Sequence, residues 1–152
     1  MFSQLPNFNN QGARLNGGLE CVDCHQAPKL SKHPNSLNNG VIGIANQTGT
    51  DLTVTRSPCL RDVVKADGTS NGQFMHIGAS NDLATIMNRY DHINLAGNTN
   101  LDPRLSTNGI GQQLNITDEE RNAVIAFLRT LAGSDIYTNS KWSNSLIRVK
   151  QF

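Results

Sequence analysis

The sequence predicts one all-α helical domain with long loops and room for a small β-hairpin. Three observations lead to this class. The chain has 152 residues, which is the size of one domain. Only 37% of the residues are hydrophobic and 5% aromatic, whereas 19 asparagines and 13 glycines favour loops and turns over a large apolar core. The longest apolar periodicities are helical. We therefore expect a group other than side chains to fill the interior.

The clearest helix lies near the end of the chain. Thr117 is placed as its N-cap, Glu120 completes a capping box, and Ile116 comes just before. Gly133 marks its end. We expect this helix to pack across the segment near residue 21. Its apolar stripe consists of Val124, Phe127, Leu128 and Leu131.

A second helix is predicted to begin at Asn81 as N-cap. Pro58 is placed to begin a short helix over residues 59–64, because proline is favoured in the first helical turn. The apolar face of the Asn81 helix consists of Leu83, Ile86, Met87 and Tyr90.

The remaining segments are predicted to be mostly loops. A short helix from Ala13 leads toward residue 21, and a short strand pair joins residues 41–44 and 52–55. Residues 134–152 form a C-terminal tail that covers one flank of the domain. Its apolar side chains are Ile136, Tyr137, Trp142, Leu146 and Ile147.

A motif for covalent haem attachment occurs at Cys21-Val22-Asp23-Cys24-His25. On one helical turn the two thiols can each add to a vinyl group of the same porphyrin, and the imidazole of His25 can bind the iron. The motif therefore predicts one covalently attached haem c, bound through Cys21 and Cys24. This haem would be the missing centre of the core in a cytochrome c-like fold.

Two other uses of the cysteines are possible on the residues alone. A zinc site needs four ligands, but His33, His76 and His92 stand singly, and no second cysteine or histidine follows Cys59 at the spacing of a zinc finger. A thioredoxin-like dithiol follows a strand and opens a long helix, whereas glycines precede this motif and a loop follows it. Both readings are weaker than haem attachment.

The second axial ligand of the iron has five candidates. Met87 lies on a predicted apolar helix face and is better explained as core. His33 follows the motif closely and suits a loop or propionate contact, and His92 suits a surface position. Met75 and His76 lie in a loop about fifty residues after His25, which favours Met75 first and His76 second.

Several segments resemble the C-terminal haem domain of the bacterial dihaem cytochrome c peroxidase and MauG-like family, with coverage from about residue 21 to 142. In that family the methionine of the Met-His-Asp-Gly element is the distal ligand of the high-potential haem. The resemblance implies this role for Met75. The matching segments are residues 56–62 (RSPCLRD), 74–78 (FMHIG), 83–87 (LATIM), 102–105 (DPRL), 114–120 (LNITDEE) and 127–131 (FLRTL).

The chain departs from the family pattern at two positions. Cys59 stands where the family has serine, and Ile77 where it has aspartate. We expect Cys59 to be a small buried residue rather than a reactive thiol. Arg61 matches a family arginine close to the haem, which implies a propionate contact, and its alternative is an exposed helix charge.

One haem motif makes an electron carrier the leading function. Family peroxidases reduce hydrogen peroxide at another haem, in a domain that this chain lacks. His25 and Met75 would leave peroxide no coordination site. The enzyme alternative is peroxide reduction after loss of the Met75 ligand, and a third class is a gas sensor or structural module. Similar single-haem domains accompany carbohydrate-binding modules, which suggests a lytic polysaccharide monooxygenase as one electron acceptor.

Charge and hydropathy limit the partners and the location that the sequence predicts. The 13 basic and 12 acidic side chains argue against nucleic acid, and no apolar stretch of 18 residues predicts a membrane span. Covalent haem attachment occurs outside the cytoplasm, so we expect a periplasmic or extracellular protein although residues 1–20 show no signal. We expect residues 1–152 to form a monomeric haem module of a larger exported protein. Its partners would be redox donor and acceptor proteins, with tethering in the same polypeptide as one arrangement.

Overall fold

The computed structural model describes residues 1–26, 31–32, 37–65, 67–95, 97–133 and 139–142. The helices in these residues are α1 (Cys21–Cys24), α2 (Leu83–Asp91) and α3 (Asp118–Thr130), with 3₁₀ turns at Pro103–Leu105 and Ser140–Trp142. The strands form three antiparallel pairs: β1 (Pro6–Phe8) with β2 (Arg14–Gly17), β3 (His25–Gln26) with β4 (Ser31–Lys32), and β5 (Ser106–Thr107) with β6 (Ile110–Gly111).

The prediction of an all-α, cytochrome c-like domain is wrong. The structure is 25% helical and has about 19% strand in small sheets. The two longer helices of the described residues, α2 and α3, form where the sequence carries its own caps and apolar periodicity. Elsewhere asparagine and glycine stabilise turns through side-chain hydrogen bonds and left-handed backbone, and these compete with helix formation.

The helix expected from Ala13 is replaced by the β1–β2 hairpin. The N–H of Arg14 donates to the carbonyl of Gln113 at 2.7 Å, so long-range pairing uses the backbone groups that a helix would need. Gly17 has a φ of 87°, and a Cβ there would collide with the carbonyl of Leu5. The hairpin therefore depends on a residue without a side chain at this close approach.

Arg14 joins the hairpin to the start of α3. Its Nη1 donates to Glu120 Oε1 at 2.8 Å and to the Gly17 carbonyl at 2.9 Å, and its Nη2 bonds to Glu120 Oε2. The hydrogen bond from Arg14 lowers the pKa of Glu120, so this carboxylate is charged at neutral pH. The same carboxylate belongs to the capping box of α3, which couples two elements that lie far apart in sequence.

The helix predicted over residues 59–64 is absent, and the segment forms a turn at residues 61–62. Asp62 has a left-handed backbone with a φ of 65°, which ends any helical run. Its N–H donates to the carbonyl of Leu131 at 3.2 Å, and the carbonyl of Val63 accepts from the N–H of Asn71. Tertiary hydrogen bonds thus take the groups that an α-helix would pair internally.

The strand pair predicted at residues 41–44 and 52–55 is also absent. One backbone hydrogen bond, from Asp51 N–H to the Ile42 carbonyl at 2.8 Å, joins the two sides. The carbonyls of Val41 and Thr53 both accept from the buried side chain of Asn38, at 3.3 and 3.0 Å. A side chain therefore takes acceptors that a β-ladder would use.

The two predicted amphipathic helices are confirmed, with one change of cap. Asp82, not Asn81, is the N-cap of α2, because its carboxylate accepts from the N–H groups of Ala84 and Thr85. At α3, Thr117 and Glu120 form the predicted capping box.

The apolar core lies between α2, α3 and the segment before α1. Helix α3 packs against α2, and Cys21 lies at the edge of the same apolar cluster, partly buried. Of the tail, residues 139–142 lie in the described part of the chain, including the turn at Ser140–Trp142. The predicted packing of the tail's apolar side chains lies outside the described residues. The buried members of the cluster are Leu19, Val64, Met87, Leu114, Ile116, Val124 and Leu128.

Replacing Thr117 by alanine tests the capping box. We expect Thr117→Ala to lower the free energy of unfolding by about 1 kcal/mol, because the N–H of Glu120 loses its acceptor. Chemical denaturation measures the change. Asn122→Ala, at an exposed position inside α3, is the matched control, and its unfolding free energy should stay the same or rise slightly. Equal losses in both variants would contradict a contribution from the cap.

Candidate functional site

Helix α1 is a single turn that carries both cysteines of the motif. The N–H of His25 donates to the carbonyl of Cys21, which closes the turn, and no side chain caps its start at Glu20. Both thiols are half-buried and neither is in a disulfide. The structure therefore brings Cys21, Cys24 and His25 together on one turn and its end.

The surroundings of the two cysteines favour the neutral form. Burial raises the pKa of the Cys21 thiol to about 11. Burial also raises the pKa of Cys24, against the opposing influence of the Arg104 charge. Redox dithiols and zinc sites use thiolates, whereas a thioether carries no charge. Among the residues that the structure describes, no three histidine, cysteine or acidic side chains are grouped to hold a metal ion.

The ring of His25 is oriented by a backbone carbonyl. Its Nδ1 lies 3.0 Å from the carbonyl oxygen of Pro58, which can only accept, so Nδ1 carries the proton and donates. In the neutral ring the lone pair then lies on Nε2, as in metal-bound histidines whose other nitrogen donates to a carbonyl. Pro58 therefore lies beside the motif, and the side chain of Ser57, the residue before it, lowers the pKa of Cys24.

Met75 lies in a turn with an unusual backbone. Its φ is 63°, in the left-handed region that a residue with a long side chain rarely adopts. Such a conformation costs about 1–3 kcal/mol and is often associated with function. The N–H of Gly78 donates to the Met75 carbonyl at 3.1 Å, which closes the turn. The Met75 side chain is half-buried, and its sulfur accepts a hydrogen bond from Asn39.

The other candidates for the second axial position have different roles. Met87 is buried in the apolar core, as its periodicity predicts. His92 is the C-cap of α2, with 61% of its side chain exposed and its Nδ1 3.1 Å from Asp91. His76 is exposed, and its Nε2 donates to the carbonyl of Gly43 at 3.1 Å. His33 lies outside the described residues.

Tyr90 on α2 has a raised pKa. Burial is the main cause, negative charge on Cys24 and Cys21 adds to it, and the side chain of Asn39 acts in the opposite direction, so that the pKa is about 12. Asn39 is also the residue that contacts the Met75 sulfur. Sequence reasoning placed Tyr90 only on an apolar face and did not find Asn39.

Arg104 lies beside the motif and was not predicted as a site residue. Its Nη1 donates to the carbonyl of Asp23 at 3.0 Å, and its Nη2 lies 2.6 Å from Asp102. Asp102 is only 2% exposed and also accepts from the N–H of Leu37. Burial alone would raise the pKa of Asp102, but the bonds from Arg104 and Leu37 hold it below the ordinary value. In the sequence, the Asp-Pro-Arg-Leu segment was the signal from which Arg104 could have been identified as a site residue.

One prediction on the loop after Pro58 is wrong. Cys59 is exposed and not a small buried residue, since the helix expected to pack this segment does not form. Arg61 is exposed and lies in the turn at residues 61–62. The predicted propionate contact of Arg61 therefore still rests on the family resemblance alone.

A partly buried guanidinium on α2 offers a donor for an anion. In the described residues, two buried side-chain N–H groups have no hydrogen-bond partner, Nε of Arg89 and Nε of Arg121. Arg121 pairs with Asp118 at the surface. Arg89 instead lies next to Tyr90, with its Nη2 on the carbonyl of Gly40. An unpaired buried donor costs about 1–3 kcal/mol, so Arg89 suits an acceptor such as a propionate carboxylate.

The side-chain types of the described residues therefore fit a covalently bound haem. Two neutral thiols share one helical turn, an imidazole is oriented through Nδ1, and a half-buried thioether lies in the turn at Met75. Arg89 supplies an N–H donor without a partner. These are the side-chain types that attach, ligate and neutralise a haem.

In comparisons with protein-family models, curated proteins and solved structures, nothing matches this chain. In the part of the chain that the structure describes, no helix is long and apolar enough to cross a membrane.

Replacing Asp102 by asparagine tests the ion pair that supports the motif. We expect Asp102→Asn to lower the free energy of unfolding by about 3–5 kcal/mol at pH 7, because Arg104 would remain without its counter-ion in a partly buried position. Chemical denaturation of the two proteins measures the difference.

The pH dependence of this difference follows from the lowered pKa of Asp102. The stabilisation should be complete above the ordinary aspartate pKa of 3.8 and disappear as the pH falls through the lower value of the folded state. Asp118→Asn is the control: Asp118 also pairs with an arginine, but its side chain is 83% exposed, so the loss should stay below about 1 kcal/mol. If Asp102→Asn lost no more stability than Asp118→Asn, the ion pair between Asp102 and Arg104 would not be the stabilising contact that we infer.

Proposed function

We propose that this chain is a monohaem c-type cytochrome that transfers single electrons. The term refers to the covalent attachment of haem, not to a helical fold. Cys21 and Cys24 would form the two thioether bonds, His25 would be the proximal ligand and Met75 the distal ligand. The observation that carries the proposal is the hydrogen bond from His25 Nδ1 to the Pro58 carbonyl.

That hydrogen bond supports ligation because it selects one tautomer of the ring. With the proton held on Nδ1, the lone pair of Nε2 is available in the form that binds iron. A carbonyl acceptor also limits rotation of the ring, so less conformational freedom would be lost on binding. The residue is the one that follows Cys24 in the motif, which is the position that the attachment chemistry requires.

Two arginines would bind the rest of the cofactor. The Nε–H of Arg89 would donate to a propionate carboxylate, which would also neutralise this partly buried guanidinium. Arg61 is a second candidate for a propionate on the resemblance to the dihaem peroxidase family. A bound haem supplies a one-electron couple between ferric and ferrous iron.

Two axial ligands from the chain favour electron transfer over catalysis. Met75 would occupy the position that peroxide or a gas needs, so the chain would act as a carrier and not as an enzyme. Thioether ligation stabilises the ferrous state, which suits a high-potential carrier. We extend the proposal to redox donor and acceptor proteins as partners and to a location outside the cytoplasm, where haem attachment takes place.

Attachment is tested by expressing the chain with an export signal and a c-type maturation system. We expect a product heavier than the polypeptide by one haem and still coloured after denaturation, because thioether bonds survive unfolding. Replacing both Cys21 and Cys24 by alanine should abolish covalent haem. Cys59→Ala is the matched control, since its thiol lies outside the motif, and should retain it. A pigment that acid solvent extracts from the unaltered protein would refute attachment.

The distal ligand is tested with methionine variants of the haem-loaded protein. The near-infrared sulfur-to-iron band should be present in the ferric protein and lost in Met75→Ala. Met87→Leu should keep the band, because Met87 is a core residue and the change preserves volume. A high-spin spectrum of the unaltered protein would contradict Met75 ligation. Rapid peroxide reduction that Met75→Ala leaves unchanged would instead support a peroxidase.

A further inference from the structure

We propose that Asn39 is a positioning residue for the sulfur of Met75, and that its amide N–H sets how strongly this sulfur binds iron. The inference rests on the proposed function, because it takes Met75 as an axial ligand. Asn39 was not predicted from the sequence, and it would act through the ligand without binding the iron itself.

The contact between the two side chains is direct. Nδ2 of Asn39 lies 3.7 Å from Sδ of Met75, within hydrogen-bond distance for sulfur. A thioether sulfur is only a weak acceptor, so it attracts few donors at random. The two residues are 36 positions apart in sequence. The contact therefore results from the way the two loops are folded together.

The orientation of the amide is fixed by its other hydrogen bond. Oδ1 of Asn39 accepts from the N–H of Val41 at 3.0 Å. If the amide were turned over, its oxygen would face the lone pairs of the sulfur and its NH₂ group would face the N–H of Val41. Both contacts would be repulsive, so the N–H of Asn39 must point to Met75.

The backbone on either side of Asn39 is anchored. Asn38 is 1% exposed, and its Oδ1 accepts from the N–H of Gly40 at 2.8 Å. The carbonyl of Gly40 accepts from Arg89 on α2. An amide placed between two held residues can keep a constant distance to the sulfur, which a mobile loop could not.

A hydrogen bond to the sulfur changes its strength as a ligand. The donor withdraws electron density from the thioether, so the sulfur donates less to the iron. The ferric ion depends more on this donation than the ferrous ion does, and the bond therefore favours the reduced state. We expect Asn39 to raise the reduction potential.

The test uses the haem-loaded protein and measures the reduction potential together with the near-infrared band. Asn39→Val removes the donor, and Asn39→Ser is a second variant in case the first does not fold. The serine hydroxyl can replace Oδ1 as acceptor for Val41 N–H, but it is too short to reach the sulfur. Both variants should keep the band and show a lower potential than the unaltered protein.

Asn100→Val is the matched control. The Asn100 amide is also part-buried. It donates to the carbonyl of Leu52 at 2.8 Å, so its hydrogen bond does not involve Met75. Its loss should leave the potential unchanged. A double-mutant cycle separates an effect through the sulfur from a general one. In a Met75→His background, which has no sulfur, Asn39→Val should no longer shift the potential.

The outcomes distinguish this inference from the proposed function. A ferric protein that shows the near-infrared band, but whose potential is the same in Asn39→Val and Asn39→Ser, overturns the role of Asn39 and leaves Met75 ligation intact. An equal shift in Asn100→Val or in the Met75→His background also overturns it. Absence of the band from the unaltered protein overturns Met75 ligation and the role of Asn39 together.

Discussion

The loops around the candidate site depend on one buried amide, that of Asn38. Its Nδ2 donates to the carbonyls of Val41 and Thr53, and its Oδ1 accepts from Gly40 and from Asn98. Every donor and acceptor of the side chain is thus used, which makes a buried polar group stabilising instead of costly. In a chain with few apolar residues, the hydrogen bonds of this amide hold the loops together, as apolar side-chain packing does in larger cores.

The sequence predicts those parts of the fold whose causes are local. The capping box at Thr117 and the apolar stripe behind it identify α3, because all the deciding groups lie within a few turns. The β1–β2 hairpin, by contrast, is joined to Gln113 through the N–H of Arg14, and the turn at Asp62 is joined to Leu131. Such partners are about a hundred or seventy residues away, so local periodicity carries no information about them.

The candidate site likewise combines residues that the sequence predicts with residues that only the folded structure identifies. The spacing of Cys21, Cys24 and His25, which the proposed haem attachment would require, can be recognised in the sequence. The residues that contact the candidate ligands come from distant segments: Pro58 contacts His25 across 33 positions, and Asn39 contacts the Met75 sulfur across 36. An asparagine in a chain with many asparagines gives no signal of its own, and only the folded structure distinguishes it.

The bond between Arg14 and Glu120 also has a consequence for the order of assembly. The two residues are 106 positions apart, so the hairpin just before the cysteines can dock only after the last helix has been synthesised. Closing so long a loop is entropically costly and comes late in folding. Until then the hairpin is not held against α3, and the neighbouring thiols lack the packing that half-buries them in the folded chain. On the proposed function, this delay would leave the thiols accessible for haem attachment before the fold covers them.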